Sequence, residues 1–195
     1  MRSPGCSKTS SRRSKAPLAV LAALLAVLPA LRSGAEQDLR VGLEGGRVQA
    51  SVRFSDPRSE EVLAALGEGL AAEIQFQLRL YRRQRGPFAF LGDRLAAERR
   101  LVRTARYDRF EEQYLIQMPG AAEARFAEAR SFLEAFCRLG PLELGELSAG
   151  DPSEYYVQSR VRLTPVKFVF PLKLITLFFP QTSFATPWLR EGLPR

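Results

Sequence analysis

The chain contains no histidine. That absence removes the Ser-His-Asp and Cys-His relays and every His-ligated zinc site. Cysteine is nearly as scarce: Cys6 and Cys137 are the only two. No Gly-x-Ser-x-Gly elbow occurs, and Gly67-Glu68-Gly69 is too short a pattern to cradle a phosphate. No cofactor is implied by any motif. Beyond residue 35 there is neither an internal repeat nor a low-complexity linker. The chemistry left open is that of carboxylates, for which Glu60/Glu61, Glu111/Glu112 and Glu143/Glu146 are candidates by type alone. Each is read more simply as a helix-start or solvated charge, so a non-enzyme is expected.

What the chain does have begins at its N-terminus. Arg2, Lys8, Arg12, Arg13 and Lys15 precede an apolar stretch from Ala16 to Leu31, and Arg32-Ser33-Gly34-Ala35 follows. A basic region, an apolar run and small residues at the cleavage positions are the layout of a secretory signal. The expectation is a signal peptide over 1–35, a single domain over 36–195, and export to the periplasm or cell envelope of a bacterium. Ser11-Arg12-Arg13 superficially resembles a twin-arginine signal but lacks the apolar residues that usually follow. Cys6 lies before the apolar run, where a lipoprotein cysteine lies after it. A retained anchor is the alternative, though 16 residues fall short of the roughly 20 that a span needs. Cleavage would leave 23 basic against 21 acidic residues. The basic pI thus resides largely in the leader, and a nucleic-acid partner is not expected. Cys137 is left unpaired beside Phe136, and is read as a core residue.

Alternation in the remaining 160 residues predicts strands. Leu39–Leu43 and Val48–Phe54 read as a hairpin across Gly45-Gly46. Ser59 is expected to cap a short helix that ends at Gly69. Ile74, Phe76, Leu78 and Leu80 mark the clearest strand. Phe88–Arg94 reads as a loop, and Arg99–Tyr107 with Gln113–Met118 as a second hairpin. A helix is expected over Ala121–Leu139, stopped by Gly140-Pro141. Leu142–Leu147 and Tyr155–Leu163 are extended. The predicted fold is mainly β: an antiparallel, sandwich-like or curved sheet of six to seven strands with two packed helices.

Two features invite a functional reading. Between Arg79 and Arg109 ten arginines stand against three acids. Arginine without lysine suits bidentate contacts to carboxylate or phosphate. The candidate partner-binding residues are Arg79, Arg82, Arg83, Arg99, Arg103 and Arg106, set against the plainer reading of solvated strand faces. The second feature is the apolar run Val166–Phe179, interrupted by Pro171 and bounded by Pro165 and Pro180. It is too broken to span a bilayer. Phe168, Phe170, Phe178, Phe179 and Trp188 are its candidate apolar or membrane contacts. A core segment at 165–180 is the simpler account.

Several of these stretches together carry a likeness. They are Leu66-Gly67-Glu68-Gly69-Leu70, Gln77 to Arg83, the tyrosine-flanked Tyr107 to Tyr114, Tyr155 to Leu163, and Phe184-Ala185-Thr186-Pro187-Trp188. In this the chain resembles a bacterial exported family of unknown function, sometimes encoded beside nitrogen-regulation-type sensor kinases. The resemblance covers nearly all of the domain and implies an envelope role near signalling, with no catalytic residues to carry over. The resulting expectation is a non-catalytic cell-envelope module that binds another protein, a sensor kinase among the partners implied. The alternative is a binder of anionic lipid surfaces or apolar ligands.

Overall fold

The computed structural model describes residues 35–56, 58–147, 151–167 and 183–194. All of them belong to one unit, Ala35–Arg195. Residues 1–34 of the expected signal peptide, and Phe168, Phe170, Phe178 and Phe179 of the apolar run, lie outside the described residues.

Alternation builds the first layer. In β1 (Glu36–Glu44) and β2 (Arg47–Ser55), joined by Gly45-Gly46, the even positions of β2 turn inward. Val48, Ala50, Val52 and Phe54 are all buried. Both turn glycines have positive φ, 57° and 81°, which a two-residue hairpin needs and a Cβ disfavours. The third strand of this sheet comes from far along the chain: β7 (Arg138–Glu146) pairs antiparallel with β2.

The second layer is larger. Its order is β10 (Leu189–Gly192), β8 (Tyr155–Lys167), β3 (Ala71–Arg82), β4 (Arg94–Asp108), β5 (Gln113–Gln117) and β6 (Ala124–Phe126), with β9 (Phe184–Ala185) also paired to β8; every pairing is antiparallel and the sheet is not closed. The centre is β3, flanked by β4 and β8. Ile74, Phe76, Leu78 and Leu80 of β3 meet Val157, Val161 and Leu163 of β8 and the β2 residues in one core. Truncating Phe76, wholly buried, would cost about 3–5 kcal/mol. Predominantly antiparallel β architecture with two helices is therefore as the pattern predicts. The three short strands β6, β9 and β10 are additional.

The helices are α1 (Ser59–Gly67) and α2 (Ala129–Cys137). α1 ends as expected: Gly69 takes φ 84°, its amide bonds Leu66 O at 2.9 Å and the Leu70 amide bonds Ala65 O at 3.0 Å. Its start differs. Ser59 makes no capping bond, and Asp56 Oδ1 instead receives the Arg58 amide at 2.8 Å.

α2 is much shorter than the 121–139 helix its composition predicts. After the Pro119-Gly120 turn, Ala124–Phe126 is drawn onto the edge of β5 as β6. Phe132 then stacks between Tyr114 at 4.9 Å and Phe136 at 5.5 Å. Gly140-Pro141 does not stop the helix. It lies inside β7 at a register shift against β2, where a strand tolerates a residue without an amide proton. β4 likewise begins at Arg94, before the expected Arg99, because Phe88–Leu91 forms part of a 3-10 turn that delivers the chain directly into pairing with Arg82. Among the described residues no helix is long and apolar enough to cross a membrane.

Candidate functional site

The outer face of the large sheet follows from the same alternation. With Ile74, Phe76 and Leu78 committed to the core, Gln75, Gln77 and Arg79 must face out. Pairing then fixes their neighbours. Gln77 stands between Arg100 and Arg160, Gln75 between Val102 and Arg162, and Arg79 between Glu98 and Gln158. Arg100, Arg160, Arg162, Gln75 and Gln77 line a shallow concavity of about 100 Å³. Three guanidiniums and two carboxamides thus converge from three strands onto one polar hollow.

The C-terminal segment holds this face in place. Arg160 Nε donates to Thr186 O at 3.2 Å. Trp188, half-buried, lies 4.7 Å from the Arg79 guanidinium and 5.8 Å from that of Arg160. Glu98 supplies the local counter-charge. Gln77 Nε2 donates to its Oε1 at 2.6 Å, Arg79 Nε stands 3.5 Å from Oε2, and Arg100 Nη2 is 3.9 Å from Oε1. The Gln77 hydrogen bond does most to hold the Glu98 carboxyl below its usual range; desolvation opposes it, and the Arg79 and Arg100 charges lower it further. Arg162 is exposed and has no ion pair among the described residues.

At the rim, the Tyr156 hydroxyl donates to Asp93 Oδ2 at 2.8 Å, its ring stacks on Tyr81 at 5.4 Å, and the Arg190 guanidinium covers it at 3.5 Å. Burial first, then the Asp93 bond and charge, push the Tyr156 hydroxyl up to about 12.

The six arginines expected to act together are divided by the fold. Arg79 belongs to the face just described, and the Arg83 guanidinium reaches its rim, 5.8 Å from the Tyr156 ring. Arg82 and Arg83 sit at the far end of β3, where Arg82, Arg83, Arg85, Arg94, Leu91 and Glu154 border an open hollow of about 520 Å³. Arg82 Nη2 is 3.3 Å from Glu154 Oε2 there. Arg106 donates to Gln117 Oε1 at 3.1 Å, on β4 beside β5. Arg99 and Arg103 take the opposite parity, across from Leu78 and Ile74, and so point to the inner side. Arg99 is exposed there. Arg103 turns under the sheet to Ala135 O at 2.6 Å and Arg138 O at 2.7 Å, closing the C-terminal end of α2. A charge run in one strand necessarily splits between two faces. Arg160 and Arg162 were missed because their partner strand, β3, lies about eighty residues away in the sequence. Their period-two spacing between Val161 and Leu163 was the visible signal.

Other sequence candidates take structural places. Glu143 and Glu146 flank Arg47 at 3.6 and 3.3 Å. Glu60 and Glu61 lie in the first turn of α1. Glu111 and Glu112 lie in the β4–β5 turn, Glu112 with φ 52°. Cys137 is half-buried against the core, on the border of a groove of about 420 Å³ between α1, β2 and α2. Burial pushes its thiol up to about 11. Among the described residues no cluster of three His, Cys, Asp or Glu side chains is placed to hold a metal ion.

Comparison with known families adds one finding. The profile of a domain of unknown function, DUF4390, matches residues 34–191. The chain belongs to the DUF4390 family. The match spans both sheets, both helices and nearly all of the C-terminal segment that carries Thr186 and Trp188, so the arginine-lined face lies wholly inside the DUF4390 domain. No curated protein and no solved structure matches the chain.

Proposed function

We propose that this DUF4390 domain is a non-catalytic module of the bacterial cell envelope that binds an acidic region of another protein through the outer face of its large sheet. The observation that carries the reading is the convergence of Arg100, Arg160 and Arg162 on one hollow with Gln75 and Gln77. Guanidiniums fixed by Trp188 and Thr186 lose little further freedom on meeting a carboxylate. Arginine, tyrosine and tryptophan side by side, here Arg79, Arg160, Tyr81, Tyr156 and Trp188, are also the residue types that dominate interface energetics. Export rests on the layout of residues 1–35. A sensor kinase of the nitrogen-regulation type is the partner that the family resemblance implies.

The test is a photo-crosslinking residue placed at Gln77 in the full chain, in intact cells, with the products identified by mass spectrometry. One reproducible envelope protein should be captured, and R160E/R162E should abolish its capture. Failure to recover any protein would sink the reading.

A second reading, binding of anionic lipid headgroups, is favoured by one arrangement. β8, which carries Arg160 and Arg162, leads in sequence into the apolar run ending at Phe179. Flotation with vesicles of anionic lipid, abolished by R160E/R162E and by high salt, would favour it over the protein partner.

A further inference from the structure

β4 is a long strand with a neighbour on only part of one side. From Arg94 to Ala105 it pairs with β3. On its other side β5 pairs only with Thr104–Asp108. From Arg94 to Arg103 the second edge is therefore open among the described residues. The stretch contains neither proline nor glycine, so each residue keeps the amide and carbonyl that a ladder uses. Beyond the irregularity at Leu80/Tyr81, Ala97–Arg103 pairs with β3 in continuous register, about 23 Å of strand at 3.3 Å per residue. Three of the large apolar side chains left most exposed, Phe90, Leu91 and Leu95, gather at the start of the same strand.

Natural sheets blunt open edges with charge. Here the net charge is positive, four arginines against one acid between Arg94 and Arg103. Arg94, Arg99 and Arg100 border the edge, and the single acid, Glu98, is already engaged by Gln77, Arg79 and Arg100. Such an edge rejects a second copy of itself, because like charges directly across a ladder are destabilising, and it accepts an acidic strand. The order of side chains makes the demand specific. Arg99 faces the inner side and Arg100 the outer, followed by half-buried Leu101 and Val102 on the same two sides.

We propose that the edge of β4 between Ala97 and Arg103 receives an extended segment of the protein partner, paired main chain to main chain as an added strand. Its two consecutive acidic residues meet Arg99 and Arg100, and its two apolar residues lie beside Leu101 and Val102. This rests on the protein-binding reading above and names its mode. The outer acidic residue would lie on the face that holds Arg160 and Arg162, and the ladder would set the register.

The test uses the full chain in mild detergent and a capped peptide, Thr-Val-Ile-Glu-Glu-Thr. It is compared with the same peptide N-methylated at alternate backbone nitrogens and with a Lys-Lys version. The acidic peptide should slow amide exchange within Ala97–Arg103, and R99E/R100E should weaken it by about tenfold or more. The N-methylated and Lys-Lys peptides should fail. Equal binding of the N-methylated peptide, or binding with no slowing in β4, would overturn strand addition while leaving the protein-binding face standing. Binding of neither acidic peptide at low salt would count against both.

Discussion

The indole of Trp188 lies 4.7 Å from the guanidinium of Arg79, although 109 positions separate them in the chain. The contact ties the C-terminal segment onto the outer face of the central strand. It lends Arg79 a π-face, and Glu98 Oε2 stands 3.5 Å from the Arg79 Nε. The tail is thus part of the candidate face, and changes in the tail should be felt as changes in binding.

Trp188→Ala tests that. The loss of two cation–π contacts at a half-buried ring is worth about 1 kcal/mol in stability. Arg79 and Arg160 regain rotamer freedom, so partner capture through Gln77 should fall more steeply than stability does. Thermal unfolding and crosslinking yield, measured side by side, check it. Equal binding by the variant would remove Trp188 from the face.

Thr186→Val should be worse for the fold. The buried Thr186 hydroxyl receives the Val161 amide at 2.9 Å and donates to Gln37 Oε1 at 2.6 Å. Gln37 in turn donates to the buried Ser159. This knot ties β1 of the small sheet to β8 of the large one. Valine keeps the shape and strands the Val161 amide and Gln37 carbonyl, at a cost of about 2–3 kcal/mol. Urea unfolding should show a lower midpoint with an unchanged slope.

Much of the fold was legible because period-two alternation is local. Val48 to Phe54 and Ile74 to Leu80 announce both their strand and their buried side. The composition of 121–128 favours a helix, yet Ala124–Phe126 became β6 because β5 offered an open edge, and no local signal records that. The candidate face was less legible for the same reason. Arg79 could be picked from its own segment. That Gln77 would bring Arg100 and Arg160 together depended on which strands flank β3. A count of arginines along the chain carries no parity, so Arg99 and Arg103 were grouped with residues that point the other way.

Tyr156 gives a pH prediction. Its hydroxyl pKa is raised to about 12, first by burial and then by Asp93. An acid whose folded pKa exceeds the unfolded value of about 10 contributes stability that is fully present below pH 10. That contribution is lost as pH rises from about 10 to about 12, because the unfolded chain releases its proton first. Alkaline unfolding midpoints should fall across this window, and less so in Tyr156→Phe. An absorbance titration should show one tyrosine ionising late. A parallel fall in both proteins would place the alkaline weakness elsewhere.

Arg103 gives the last prediction. It is a charged side chain on the inner side of a sandwich, with its guanidinium 5.5 Å from the Phe76 ring. Burial lowers its pKa, yet an arginine stays charged. Its fixed position is explained by the carbonyls it serves: Ala135 O at 2.6 Å and Arg138 O at 2.7 Å, at the point where α2 passes into β7 without a loop. Unmet carbonyls at a helix C-terminus favour a cation, through both hydrogen bonding and the helix dipole. Arg103→Met keeps the stem and removes the donors, and should destabilise by about 2–3 kcal/mol. Arg103→Lys should recover only part: both carbonyls accept from one nitrogen, Nη1, and an ammonium can donate to two acceptors but sits on a shorter reach than Nη1. Cys137, at the last turn of α2, supplies the local readout. With its thiol near 11, it should react slowly with a disulfide reagent at pH 8 in the native protein. Loss of the Arg103 charge by itself would raise the thiol further and slow it, so a faster reaction in Arg103→Met would report fraying at the end of α2. An unchanged unfolding midpoint with an unchanged thiol rate would show that Arg103 does not hold this junction.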